Sequence, residues 1–195
     1  MSKRQVETRE RILAAAETLL RRHGLAKTTV VDVARALGMS HANVYRHFAS
    51  KAALRGAVAE RWLKAISDPL EAFVQENGPA APRFESWVLA LAAAKRRKVQ
   101  SDPEMFAAYH ALAEESEQAV AHHLATLHRQ VEGIIRDGVT RGEFRVGSPG
   151  AAATASLDAT LRFHHPHHVQ AGRASEKEIR AVVRLVLAGL RSGVL

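Results

Sequence analysis

The chain has 195 residues, 47% of them apolar and none of them cysteine; that is enough for one or two domains with a core and excludes disulfides, thiolate zinc sites and a cysteine nucleophile. No run of about 18 uninterrupted apolar residues and no charged-then-apolar leader is present, so a soluble, cytoplasmic protein without a membrane partner is expected. The net charge of +8 is concentrated: residues 1–55 hold eleven Lys and Arg against four Asp and Glu, the remainder seventeen against sixteen.

In chain order, Ser2 to Arg22 predicts a first helix, with Val6, Ile12, Ala16, Leu19 and Leu20 at three- and four-residue spacing. Arg4, Arg9 and Arg11 near its start either graze phosphates or form a solvated face. Its Glu7, Glu10 and Glu17, and its lack of Trp and Phe, argue against a helix lying on an anionic membrane. His23-Gly24 ends it. Thr29 then reads as an N-cap answered by Asp32 three residues on, followed by Val30, Val33, Ala34 and Leu37 on one face. Gly38 supplies a left-handed turn, and Ser40 caps the next helix.

In that helix Met39, Val44 and Phe48 can turn inward while His41, Asn43, Tyr45, Arg46 and His47 face outward. Two short helices around a glycine turn, about residues 29–48, form a helix-turn-helix. Asn can pair with adenine edges, Arg with guanine or phosphate, and Tyr can reach a phosphate. Basic charge on this segment fits a phosphate-binding surface, and exposed amides at the Thr28-Thr29 helix start can hold a phosphate. The alternative is a helical hairpin inside an all-α core.

Ser50 caps a helix with Lys51 at its start and Leu54, Val58, Trp62, Ile66, Leu70 and Phe73 along one face, interrupted at Asp68-Pro69. Asn77-Gly78-Pro79 ends it. A helix from about Arg83 to Lys98 bears Phe84, Trp87, Val88 and Leu91, and its Lys95-Arg96-Arg97-Lys98 run reads as a solvated helix end. Asp102-Pro103-Glu104 opens a helix with Met105, Phe106, Tyr109, His110 and Leu112. Helices follow at about Glu117 to Thr140, Ala151 to Phe163 and Glu176 to Leu190.

From Arg9 to Leu54 the chain resembles the TetR (tetracycline repressor-like) family of transcriptional regulators. The resemblance rests on Ile12-Leu13-Ala14-Ala15-Ala16, Gly24 before Thr28-Thr29, Val33-Ala34, Gly38-Met39-Ser40, Val44-Tyr45-Arg46-His47-Phe48 and Lys51-Ala52-Ala53-Leu54. Leu25 stands where the family often has an aromatic residue, and Leu37 where alanine is more usual. The resemblance implies an all-α fold of about nine helices: a three-helix helix-turn-helix domain at 1–54, joined by a linking helix to an effector-binding and dimerisation domain at 55–195. It further implies a homodimeric repressor, paired through its last two helices and released from a double-stranded operator by a small-molecule effector.

On this reading Thr28, Thr29, Tyr45 and Lys51 contact phosphates, Ser40 starts the recognition helix, and His41, Asn43, Arg46 and His47 read bases. Trp62, Phe73, Trp87, Leu91, Phe106, Tyr109, His110, Leu124 and Leu127 are the candidate pocket lining, with ordinary core packing as the alternative. No cofactor is required. A divalent metal would suit the histidines: His164, His165, His167 and His168 surround Pro166, read as helix-ending, and His110 stands one turn from Glu114. The metal candidates are His110, His164, His165 and His168, which keeps a metal-responsive regulator as an alternative, beside an architectural DNA-binding protein. HExxH, GxSxG, GxGxxG and GxxxxGK[ST] in a strand-to-helix setting are absent, so no catalytic residue is assigned.

Overall fold

A computed structural model describes residues 3–25, 27–101, 103–106, 112, 116–172 and 174–193, and the regular structure among them is all helical. The helices are α1 (Lys3–His23), α2 (Val30–Ala36), α3 (His41–Tyr45), α4 (Lys51–Ser67), α5 (Glu71–Gln75), α6 (Ala80–Ser101), α7 (Glu117–Thr140), α8 (Pro149–Thr160), α9 (Pro166–Ala171) and α10 (Glu176–Ser192), with 3-10 turns at Asp68–Leu70 and Leu161–Phe163. The all-α expectation holds. Two compact units form, Met1–Lys64 with Asp102–His122, and Ala65–Ser101 with His123–Leu195.

In the first unit α1 buries Ile12, Leu13, Ala16 and Leu20, and packs on α2, which packs on α3. Val6, expected on the same face, is 47% exposed, because the first turns of α1 run beyond the core. Val30, Val33, Val44, Phe48, Leu54 and Val58 complete the interior, each worth roughly 1.5–3 kcal/mol by burial. Trp62 meets Phe106 with ring centroids 6.1 Å apart, and Met105 and Leu112 of the same unit are buried.

In the second unit Pro69 breaks the helix where expected, giving the 3-10 turn between α4 and α5. Helix α6 starts three residues before the expected Arg83, since Pro82 fits a first turn whose amide has no intrahelical acceptor. Its leading amides are held by the Glu143 carboxylate, which accepts from Ala80 N at 2.8 Å and Ala81 N at 3.2 Å. Arg83 is buried, ion-paired with Asp137, and donates to the Val74 carbonyl at 3.3 Å. Trp87 Nε1 donates to Gln130 Oε1 at 3.2 Å, and Gln130 Nε2 to Ser67 O at 3.0 Å. On α7, Gly138 lets the Phe144 ring lie against the helix backbone: an added Cβ would overlap that ring and come within 2.9 Å of the Ala80 Cβ.

Helix α8 begins at Pro149 behind a Ser148 cap, and α10 begins at Glu176 behind a Ser175–Glu178 capping box. Alanines 152 and 153 are buried on α8, and Ile179, Val183, Val186, Leu187 and Leu190 on α10. One expectation is corrected. Pro166 does not end a helix: it opens α9, where a missing amide hydrogen costs nothing.

Candidate nucleic-acid interface

The reader is built from local chemistry. The Thr29 hydroxyl accepts from Asp32 N at 3.2 Å, while the Asp32 carboxylate accepts from Thr29 Oγ1 at 2.6 Å and Thr29 N at 3.1 Å. Those two donors, side chain first, hold Asp32 below the usual carboxylate range. Gly38 adopts φ 62°, and Met39 N returns to Ala34 O at 3.0 Å, closing the turn. Ser40 Oγ accepts from Asn43 N at 3.3 Å, which starts α3, and Phe48 N still bonds Val44 O at 3.0 Å beyond its last full turn.

Val44 and Phe48 point inward at 1% and 4% exposure, so His41, Tyr45 and Arg46 are left on the solvent face, with Asn43 and His47 half-buried at its flanks. The Arg9 guanidinium lies 4.8 Å from the Phe48 ring centroid, a cation–π contact rather than a free basic tip. Ser50 Oγ caps α4 by accepting from Ala53 N at 3.0 Å, with Lys51 exposed beside it.

At the start of α2 the Thr28 and Thr29 side chains are engaged within the chain. Thr28 is buried, and its hydroxyl donates to Gly24 O at 2.9 Å, so that side chain positions the loop instead of facing solvent. The Thr29 hydroxyl and amide both donate to the Asp32 carboxylate. A capping box and a phosphate site compete for the same donors. The sequence contained both halves of that box.

The predicted pocket residues divide. Trp62 and Phe106 are in the core of the first unit; Trp87, Leu91 and Leu127 are in the core of the second, where Phe73 is half-buried. Leu124 is 55% exposed on α7, so its assignment to an interior lining is corrected. Tyr109, His110 and Glu114 lie outside the described residues. A cleft of about 540 Å³ opens within the first unit, with Arg9, Gly56, Glu60, Ser116 and His122 among its lining. There Glu60 pairs with His122 at 3.3 Å and Lys64 at 2.9 Å.

The histidine cluster is not one site. His164 turns into the core, where its Nε2 donates to Leu157 O at 3.3 Å, and burial pushes its pKa down to about 4 with the Lys95 charge adding. His165 and His168 stay exposed, ring to ring at 5.5 Å. Among the described residues no three metal-ligating side chains converge.

Residues 12–58 match the family described as bacterial regulatory proteins, tetR family, and residues 80–186 match the tetracyclin repressor-like C-terminal domain. The chain belongs to the TetR family.

A TetR-family chain is a DNA-binding transcriptional regulator and not an enzyme. Solved TetR-family structures share its fold. A TetR/AcrR regulator from Thermobifida fusca YX-ER1 is 22% identical, with 95% of this chain and 99% of that one covered at a TM-score of 0.63. FadR of Thermus thermophilus, a TetR-family repressor solved with lauroyl-CoA, is 19% identical over 93% and 94%, with a TM-score of 0.65. RolR, solved with resorcinol, is 16% identical over 97% and 90%, with a TM-score of 0.58. No curated protein sequence matches the chain.

Sequence reasoning misplaced a polar residue in the second unit of this TetR-family chain. Lys95, assigned to a solvated helix end, is 4% exposed. Its Nζ lies 3.2 Å from His123 Nε2, and burial pushes its pKa down to about 8. The signal was present: Trp87, Leu91 and Lys95 recur every fourth residue, which puts Lys95 on the apolar stripe of α6.

Proposed function

We propose that the protein is a cytoplasmic, homodimeric repressor that leaves a pseudo-palindromic operator when a small molecule binds its second unit. The observation that carries the DNA half is the α3 face, where buried Val44 and Phe48 fix His41, Tyr45 and Arg46 outward on a unit whose N-terminal segment is strongly basic. Arg46 and His41, flanked by Asn43 and His47, read base edges in the major groove, while Tyr45 and Lys51 set register on phosphates. Two copies place two such helices about one duplex turn apart.

Dimerisation runs through α8 and α10. The two helices pack on each other and bury one face of α10, leaving Leu185 73% exposed, while Leu161, just after α8, is 40% exposed. Large apolar side chains left outside in this way support a second copy as their cover. Effector control is supported by the ligands bound to FadR and RolR, lauroyl-CoA and resorcinol.

The test is selection of bound duplexes from a random library, followed by gel shift of the selected site against salt. A pseudo-palindrome bound with steep salt dependence is expected. Sequence-independent retention would replace this reading with that of an architectural protein.

A further inference from the structure

The α6 stripe of Phe84, Trp87 and Leu91 continues one turn further to Lys95, which carries an ammonium into the interior of the second unit. A buried cation is costly unless an opposite charge compensates it. Among the described residues no carboxylate pairs with Lys95. Its polar neighbour is the imidazole of His123, itself 6% exposed, with Nε2 at 3.2 Å accepting from the ammonium. The Lys95 charge also disfavours protonation of buried His164, which keeps that ring neutral.

We propose that Lys95, held by His123 beside neutral His164, is the anchor for an acidic organic effector: a monocarboxylate whose charge meets the ammonium and whose hydrocarbon body lies against Leu91 and Leu127. This rests on the reading of the chain as an effector-controlled regulator and names the chemical class of its effector. The donor count fits. An ammonium has three N–H groups, so one given to His123 leaves two for the two oxygens of a carboxylate. The charge count among the described residues fits as well: the Lys95 cation, beside a His123 nitrogen that accepts from it and a neutral His164, matches a single negative charge. A metal ion does not fit, because the ammonium occupies His123 and repels a second cation. Leu91 stands one turn before Lys95 on α6, and Leu127 one turn after His123 on α7; both are buried.

The experiment is isothermal titration of the full-length protein at pH 7 with benzoate and decanoate, and with benzyl alcohol and decanol as their neutral counterparts. Saturable binding of at least one acid is expected, with its alcohol at least tenfold weaker. Lys95→Met should weaken the acid at least tenfold, with helical content by circular dichroism checking its fold. Lys95→Arg, which keeps the charge, should retain binding within a few fold. Binding of neither acid, equal binding of acid and alcohol, or undiminished acid binding by a folded Lys95→Met would each overturn the proposal. Titration needs no DNA, so failure of the wild-type chain to hold any selected operator would sink the regulator reading separately.

Discussion

Replacing Lys95 by Met should make the apo-protein more stable, and the structure sets how much. Burial lowers the Lys95 pKa from 10.5 to about 8. At about 1.4 kcal/mol per unit this corresponds to about 3 kcal/mol lost at pH 7, where both folded and unfolded chains carry the proton. The folded pKa is the lower one, so as pH rises through 8 the folded state sheds the proton while the unfolded chain keeps it until about 10.5. The cost is therefore relieved with rising pH, to about 1 kcal/mol at pH 10. Methionine keeps an unbranched apolar stem without the charge. Urea titration followed by circular dichroism at 222 nm should put the Lys95→Met midpoint about 1 M above wild type at pH 7, with the gap closing by pH 10. A midpoint equal to or below wild type, or two curves that stay parallel from pH 7 to pH 10, would refute the claim that the ammonium is buried at a cost.

Three further outcomes follow from the same geometry. His164, whose pKa burial lowers from 6.5 to about 4, should contribute stability that is intact above pH 6.5 and lost as pH falls toward 4, by about 3 kcal/mol; His164→Gln should flatten that part of the urea-midpoint profile, and an unchanged slope would count against it. Gly138→Ala should lower stability by about 1–2 kcal/mol in a thermal melt, although alanine is the better helix former by about 1 kcal/mol, because overpacking against Phe144 outweighs propensity. Arg46→Ala should cost about 1–3 kcal/mol of operator affinity and relax preference at one base step, while Lys51→Ala should reduce the salt slope by about one; equal, sequence-blind losses would contradict that division of labour.

Much of this architecture was legible because it is written in local chemistry. Thr29 with Asp32, Gly38 and Ser40 each announce a cap or turn within four residues of their partners, so the helix-turn-helix could be placed to within a residue or two. What escaped depends on partners distant in sequence. Arg83 is buried because Asp137 waits for it, and α6 starts early because Glu143 supplies its cap; neither pairing has a local signal. Pro166 was misjudged because a proline reads the same at a helix end and at a helix start, and only the path of the chain decides. Lys95 is the instructive case, since its position on the apolar stripe was countable but its three basic neighbours suggested a surface.

The interleaving of the two units has a consequence for the order in which they can be made. The first unit is completed by Asp102–His122 and the second resumes only at His123, so neither is whole when synthesis has passed the reader. A ribosome that has released residues 1–64 has exposed Trp62 without Phe106, and one that has released α6 has exposed its leading amides without Glu143. Both units therefore depend on late-arriving segments. A fragment cut at Lys64 would lack part of its own interior, because the ring that meets Trp62 comes from Phe106, beyond the cut.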